Sequence, residues 1–406
     1  MSKVLFSGAQ TSGKLHIGNY IGSLLNYAKL AKEYKGLDKM FMLADMHSLN
    51  TLPPKDLLKQ NTEDLLIDIM STGLFDDVNI FKQSAVSQHC ELATILATLV
   101  PFGALSRMTQ FKDKTSDAMS FVSHGIDQAG EFASVGINKE QLLVRVERKN
   151  GDFDDYSARK NFADSIDELV SRVSALSSQD EVRELLKSFG SPHASKKSIN
   201  AGLFSYPVLQ AADILLYKAN EVPVGDDQRQ HLELVRDVAK RFNKVYKAKT
   251  LVIPKAVMPT SAGRIMSLSS PNNKMSKTDP SSLACIYLRD TNDNIAKKIK
   301  KSVTDSEPEV TLDPSRKGIY NLLTIGSALE NTAIADFADR FIGGNTSSLK
   351  LALIDLIVKT IEPIRERADY LINNKDEIKS KLRQGNEMAL DKAQKTMQEV
   401  KELIGI

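Results

Sequence analysis

The chain has 406 residues, 42% of them apolar and 26% charged, with a formal net charge of +3. That length suits two domains, or two with an inserted element, and the composition excludes a disordered chain. The near-balance of charge excludes a protein that holds nucleic acid mainly through a bulk positive field.

The predicted elements begin as alternating strands and helices. Val4 to Ser7 and Met40 to Asp45 are short apolar runs ending in polar turns, and Leu57 to Met70 carries apolar residues at helical spacing after the breakers Pro53 and Pro54. The alternation predicts an α/β fold, a parallel sheet wound on both faces by helices, with ligands at the carboxyl ends of its strands. Leu92 to Leu105 is the longest apolar stretch, but Thr94, Thr98 and Pro101 interrupt it, and it is too short to span a bilayer. From Lys114 to Asn200 the texture changes. Leu142, Val144 and Val146 alternate and lead into Asn150-Gly151, a hairpin signal; Phe162, Ile166, Leu169, Val170, Val173 and Leu176 then follow at helical spacing. Ser178 with Glu181 reads as a capping box opening a helix that ends at Gly190. Past Asp290 the patterns are helical with charged faces, as in Leu351 to Ile361 and Asp391 to Leu403. The expected organisation is an α/β domain in two halves, 1–115 and 200–290, an inserted segment over 116–199, and a helical C-terminal domain over 291–406.

Directly after the first strand stands Ser7-Gly8-Ala9-Gln10-Thr11-Ser12-Gly13-Lys14-Leu15-His16-Ile17-Gly18-Asn19, where an α/β fold would seat a nucleotide. Gly8 through Lys14 satisfies the first seven places of the phosphate-binding G-x-x-x-x-G-K-[ST] loop, but Leu15 cannot supply the magnesium-binding hydroxyl of the eighth. A better match is His16-Ile17-Gly18-Asn19, which resembles the HIGH signature of class I aminoacyl-tRNA synthetases. Its partner signature follows downstream as Lys274-Met275-Ser276-Lys277-Thr278, similar to KMSKS. Arg107 to Lys114, Tyr206 to Tyr217 and Val222 to His231 resemble bacterial-type tryptophanyl-tRNA synthetases, so that the resemblance covers nearly the whole chain outside the insertion.

The resemblance implies a Rossmann-type doubly wound catalytic domain and an ATP-dependent ligase. An amino-acid carboxylate would attack the α-phosphorus of ATP while pyrophosphate leaves, which requires positioning and positive charge rather than a protein nucleophile. By the same resemblance His16, Lys274 and Lys277 are catalytic, Gln10, Thr11, Ser12, Gly18 and Asn19 hold ATP, and Met275, Ser276 and Thr278 complete the closing loop. Gly225, Asp226 and Asp227 then meet the ribose and Ile265 with Met266 the adenine. Magnesium with ATP is implied. Taken singly, each motif has a plainer reading: Gly-Asn makes turns, Lys-Met-Ser-Lys is a solvated loop, and Gly-Asp-Asp caps a helix. Their joint occurrence in family order favours the functional one.

Tyr206, Gln210 and Asp213 are spaced by four and three residues, so a helix started by Pro207 projects them from one face. In tryptophanyl enzymes the aspartate matching Asp213 accepts the indole N–H, and the residues matching Tyr206 and Gln210 lie near the substrate amino group. His47 matches a position near the same pocket, though a histidine after a strand is as often structural. The commoner bacterial pattern has methionine where this chain has Gln210, and Tyr-x-x-x-Gln-x-x-Asp also resembles tyrosyl-tRNA synthetases. The flanking residues favour tryptophan. Ala212, Ile214 and Leu215 imply that Asp213 is buried and needs a partner.

Cys90 and Cys285 are too few for a disulfide framework or a thiolate zinc site, no metal site is expected among the six histidines, and a cytoplasmic location follows. His89, His124 and His193 read as ordinary. Lys297, Lys298, Lys300 and Lys301 form the sharpest basic cluster, more often a solvated helix face than a nucleic-acid contact. The resemblance further implies L-tryptophan and tRNA(Trp) as partners, anticodon recognition by the helical C-terminal region, and a homodimer, with neither membrane nor DNA. The insertion could touch the tRNA acceptor end, but nothing in it forms a metal, nucleophile or nucleotide motif, which favours a neutral surface elaboration. A synthetase-like binding module without catalysis remains as an alternative class. The joint presence of His16, Lys274 and Lys277 argues against it.

Overall fold

In β1 (Val4–Gln10) and β2 (Asp38–Ala44) the apolar runs are buried on both faces, Phe41 and Leu43 completely, as parallel strands sandwiched between helices require. They pair in parallel from Val4 opposite Asp38 to Gln10 opposite Ala44. The computed structural model describes residues 3–34, 36–109, 134–138, 143–147, 200–225, 228–257, 264–277 and 279–406. Within these the chain divides into two compact units, Met1–Val100 with Tyr206–Ile406, and Pro101–Ser205.

The first unit holds a five-stranded parallel sheet ordered β3-β2-β1-β6-β7, with β3 at Asn79–Lys82, β6 at Glu221–Pro223 and β7 at Lys255–Val257. Strand order reverses between β1 and β6, so the crevice for a ligand opens at their carboxyl ends, after Gln10 and after Pro223. Between β1 and β2 run α1 (Ile17–Asn19), a π-helical turn (Tyr20–Leu24) and α2 (Leu25–Glu33). Between β2 and β3 run α3 (Asp45–Ser48) and α4 (Lys55–Ser71), the latter begun by Pro54 as the breaker pair predicted. After β3 comes α5 (Gln88–Ala97).

The second unit contains α6 (Phe102–Ser106) and the antiparallel pair β4 (Ser134–Asn138) and β5 (Leu143–Glu147). The alternating segment therefore pairs with the strand before it, and Asn150-Gly151 does not join these two strands. That dipeptide lies outside the described residues, as do the helical patterns around Phe162 to Leu176 and Ser178 to Gly190.

The next helix, α7 (Ala201–Leu215), corrects the sequence reading: it starts six residues before Pro207, which sits inside it. Asn200 begins it, its Oδ1 accepting the Leu203 N–H at 2.8 Å. A proline inside a helix disfavours it by about 3 kcal/mol, and here the buried face of Val208, Ala211, Ala212 and Leu215 outweighs that penalty. The spacing argument is unaffected.

Between β6 and β7 runs α8 (Arg229–Val245). Beyond β7 the elements are helical, as predicted: α9 (Asn292–Lys300), α10 (Lys317–Glu330), α11 (Ile334–Ala338), α12 (Thr346–Asn373) and α13 (Lys375–Ile404). These helices do not form a separate core. One buried cluster runs from Leu5 and Phe41 in the sheet through Leu65 and Ile286 to Leu323, Leu353 and Leu371. The last helix, α13, lies along edge strand β3, where Asn386 Oδ1 accepts the Lys82 N–H at 2.9 Å and so caps an edge otherwise open to pairing.

Candidate active site

Two segments far apart in sequence meet at the carboxyl end of β1. Ile17 N–H donates to the Ile286 carbonyl at 2.8 Å, and Leu288 N–H to the Leu15 carbonyl at 3.0 Å. Beneath this pairing lies Asp68 of α4, fully buried, accepting the Leu15 N–H at 2.7 Å and meeting Arg289 Nε at 2.5 Å. Arg289 also grips Asp64 through Nη1 at 2.8 Å. Burial raises the Asp68 pKa against the pull of Arg289 and of the Leu15 N–H.

His16 caps α1. Its Nδ1 accepts the Asn19 N–H at 3.3 Å, and Asn19 Oδ1 accepts the His16 N–H at 3.3 Å. With Nδ1 an acceptor, the neutral ring carries its proton on Nε2. Burial, then Lys277 and Lys274, lower its pKa to about 4, so at pH 7 His16 is a neutral ring with an N–H to donate at Nε2. A Cβ on Gly18 would stand 3.0 Å from His16 Nδ1 and 3.5 Å from Met275 Sδ, so the two signature segments touch there and leave little room for a side chain.

The second segment forms a short antiparallel ladder. Met275 N–H donates to the Ile265 carbonyl at 3.1 Å and Ser267 N–H to the Asn273 carbonyl at 2.8 Å. Ile265 and Met275 are buried, Met266 is half-buried and Lys274 is exposed. Beyond the ladder the Ser276 carbonyl receives the Cys285 thiol at 3.0 Å. Lys277 turns back to the loop after β1, donating to the Gly13 carbonyl at 2.8 Å and Ser12 Oγ at 3.3 Å. Burial lowers its pKa to about 8, with Asp68, Cys285 and Asp64 opposing, so most of its charge survives at pH 7.

Of the residues expected at ATP, the structure thus brings Ser12, His16, Gly18, Asn19, Ile265, Met266, Lys274, Met275, Ser276 and Lys277 to one place. The loop after β1 continues toward α3: Thr11 Oγ1 lies 2.9 Å from Ser48 Oγ, and Gln10 Nε2 donates to the His47 carbonyl at 3.4 Å. Gly225 follows β6 across the switch point, its carbonyl accepting the Gln228 N–H at 3.0 Å. Asp226, Asp227 and Thr278 lie outside the described residues.

Asp213 is 1% exposed and has only donors around it. Gln83 Nε2 reaches its two oxygens at 2.9 and 3.1 Å, and His47 Nε2 lies 2.8 Å from Oδ2. His89 Nδ1 lies 2.7 Å from Oδ1. The amide of Gln83 cannot be reversed, because its Oε1 accepts the N–H groups of Met46 and His47 at 3.1 and 3.3 Å. Tyr217 OH, 2.9 Å from His89 Nε2, completes the chain. Burial alone would raise the Asp213 pKa, but the hydrogen bonds and charges of His47 and His89 override it and bring it to about 2. Asp213 is therefore a fixed, ionised acceptor, and among these partners His47 is the one with appreciable solvent exposure, at 14%.

Tyr206 and Gln210 share the face of Asp213, as the spacing predicted. Tyr206 OH lies 2.6 Å from His231 Nε2, its ring is 6.4 Å from that of His47, and burial raises its pKa to about 12. Gln210 Nε2 donates to Gln228 Oε1 at 3.4 Å.

Sequence reasoning missed three residues. Gln83 directly follows β3, so the rule that ligands bind at strand carboxyl ends could have singled it out. Tyr217 stands four residues after Asp213, in the turn that ends α7. His89, read as ordinary, carried no local signal. The lysine cluster is also corrected: Lys298 turns inward, 8% exposed, pairing with Asp290 at 2.6 Å and covering the Tyr287 ring at 5.0 Å, so the four lysines do not share one solvated face.

The model of the family described as tRNA synthetases class I (W and Y) matches residues 2–132 and 155–362. A tryptophan–tRNA ligase of Caldanaerobacter subterraneus is 35% identical over 406 residues, covering 100% of this chain and 98% of that protein. The crystal structure of tryptophanyl-tRNA synthetase from Mycoplasma pneumoniae superposes with a TM-score of 0.72 at 26% identity, covering 100% of this chain and 98% of that one. The enzyme from Campylobacter jejuni, solved with ADP and tryptophan, shares the fold with a TM-score of 0.66 at 24% identity, both chains fully covered. No helix among the described residues is long and apolar enough to cross a membrane. The two signature segments joined at the switch point, and relatives matching along the whole chain, make it a member of the class I tRNA synthetases of the tryptophan and tyrosine type.

Proposed function

We propose that the protein activates L-tryptophan with ATP, releasing pyrophosphate, and transfers the tryptophanyl group from the adenylate to tRNA(Trp). The observation that carries a substrate with a single side-chain donor is Asp213: a buried carboxylate held ionised by donors, one turn along the helix from Gln210 and close to the ring of His47. Such a group rewards a substrate with one N–H and rejects an isostere without it. Tyrosine also offers one donor, so the geometry of Asp213 alone admits both; the full-length resemblance to tryptophan–tRNA ligases favours tryptophan.

In this reading a carboxylate oxygen of tryptophan forms a bond to the α-phosphorus as the bond to pyrophosphate breaks. His16 donates from Nε2 to a phosphate oxygen, and Lys277 and Lys274 neutralise charge that grows on the leaving group. Lys277 already sits on the loop after β1, so it needs only to exchange the Gly13 carbonyl for phosphate. Gln10, Thr11, Ser12, Gly18 and Asn19 line the nucleotide, Ile265 and Met266 meet the adenine, and Gly225, Asp226 and Asp227 the ribose. Tyr206 and Gln210 lie toward the tryptophan amino group. Magnesium enters on the phosphates of ATP; among the described residues no group of three or more His, Cys, Asp or Glu converges on a metal-sized site. The helices of 291–406 read the anticodon, the active species is a homodimer, and the enzyme works in the cytoplasm.

ATP–pyrophosphate exchange with tryptophan and tyrosine in parallel tests the reading. Exchange with tryptophan alone supports it. Exchange with tyrosine alone makes Gln210 the mark of a tyrosyl enzyme, and exchange with neither returns the chain to a binding module.

A further inference from the structure

The ladder that carries Lys274 has a second edge. Met266 faces Lys274 as a non-hydrogen-bonded pair, so its own N–H and C=O point away from the partner strand. Both are captured by one side chain: Asn321 Oδ1 accepts the Met266 N–H at 2.8 Å, and Asn321 Nδ2 donates to the Met266 carbonyl at 2.9 Å. An amide placed this way imitates the edge of a neighbouring strand. Asn321 is 3% exposed in the middle of α10, where asparagine does little for the helix itself. The same helix is seated on the ladder at its start: a Cβ on Gly318 would fall 2.3 Å from the Val303 carbonyl oxygen, and Val303 N–H donates to the Leu268 carbonyl at 2.8 Å.

We propose that Asn321 is a positioning residue for ATP, fixing the Met266 backbone from α10 so that the ladder presents its adenine edge and Lys274 in one register. This rests on Ile265 and Met266 lying at the adenine. It also gives the C-terminal helices a direct mechanical connection to the nucleotide site, through one amide and without touching the nucleotide.

The test compares Asn321→Leu, nearly isosteric but without donor or acceptor, with the parent protein and with Ile265→Ala. Hydrogen exchange at the Met266 amide and KM for ATP and for tryptophan are measured in pyrophosphate exchange. The expected result in Asn321→Leu is exchange at Met266 faster by about tenfold and KM for ATP raised by about tenfold, the scale of one or two lost hydrogen bonds, with KM for tryptophan within about twofold. Unchanged protection at Met266 would overturn the clamp. Faster exchange with both KM values unchanged would overturn the coupling, and Ile265→Ala locates the fault: a raised KM for ATP in that variant leaves the adenine reading standing, whereas an unchanged one removes adenine from this strand. Equal changes in both KM values would reduce Asn321 to a structural residue. Should Asn321→Leu fail to fold, Asn321→Asp keeps the acceptor for Met266 N–H while setting a carboxylate against the Met266 carbonyl, and the same readouts decide.

Discussion

Asp68 and Arg289 form a buried ion pair, 2.5 Å apart, directly beneath the loop that carries His16. The pair does more than neutralise charge, since the other carboxylate oxygen of Asp68 holds the Leu15 N–H. Removing Arg289 alone strands a buried carboxylate, so Arg289→Leu should destabilise the fold by about 3 to 5 kcal/mol. Replacing both, Asp68→Leu with Arg289→Leu, removes the buried pair and should recover part of that loss, leaving Leu15 N–H and the half-buried Asp64, which also loses Arg289, as the residual defects. Urea unfolding of the two single variants and the double variant gives the cycle; a double variant as unstable as Arg289→Leu would mean that shape, and not charge, sets the stability here.

Asp213→Asn keeps the volume and puts a donor where the substrate donor should land. Discrimination between tryptophan and an analogue lacking the indole N–H, by the ratio of kcat/KM values, should collapse from roughly four orders of magnitude toward unity. His89→Leu should weaken the same ratio more modestly, because Gln83 and His47 still hold the carboxylate. A ratio unchanged in Asp213→Asn would take that residue out of recognition.

The chemistry of Lys277 predicts both a loss and a pH dependence. Lys277→Ala should lower adenylation by about two to three orders of magnitude, the scale of one lost transition-state donor. In the parent enzyme kcat/KM for ATP should fall as pH rises through about 8, because burial brings the lysine pKa down there and its charge disappears above it. His16, with a pKa near 4, should contribute nothing to the profile between pH 6 and 9. Lys277→Arg, charged throughout, should abolish the alkaline limb whatever activity remains. An alkaline limb that persists in that variant belongs to another group.

Much of the fold was legible because apolar residues in the sheet and the long helices obey their periods. Phe41, Leu43 and the apolar positions of α4 from Leu65 to Met70 are buried as their spacing implies, whereas Leu57 at the start of α4 is exposed, and α12 and α13 contain the two predicted C-terminal patterns with longer bounds. The signature segments were legible as short strings at a place where an α/β fold binds nucleotides. What escaped was set by contacts across long sequence distances. His89 meets Asp213 across 124 positions, and Asn321 meets Met266 across 55, so neither has a local pattern to betray it. Pro207 misled because a proline usually marks a first helical turn, whereas here the burial of its neighbours carries the helix through it. Lys298 misled because a helical face of lysines is judged by number, and a single aspartate, Asp290, is enough to turn one inward.

The last prediction concerns how α13 closes the sheet. Gly385 sits in the middle of this 30-residue helix, where glycine costs about 1 kcal/mol relative to alanine. The reason is contact: a Cβ there would fall 1.8 Å from the Ile80 carbonyl oxygen of edge strand β3, so the helix backbone lies against the strand with no space for a methyl group. One residue on, Asn386 bonds to the Lys82 N–H, and farther along Lys392 pairs with Asp38 at 2.6 Å and Lys218 with Glu399 at 2.6 Å. A helix pinned at these points cannot slide to relieve a clash. Gly385→Ala should therefore destabilise the protein by about 3 kcal/mol or more in urea unfolding, at the upper end of overpacking substitutions, although helix propensity alone predicts a gain. Gly22 supplies the contrast, because a Cβ there meets nothing within 4 Å, and Gly22→Ala should leave stability unchanged or raise it by up to about 1 kcal/mol. Equal effects in the two variants would mean that α13 can lift from β3 without loss, and that the edge strand is protected by something other than this helix.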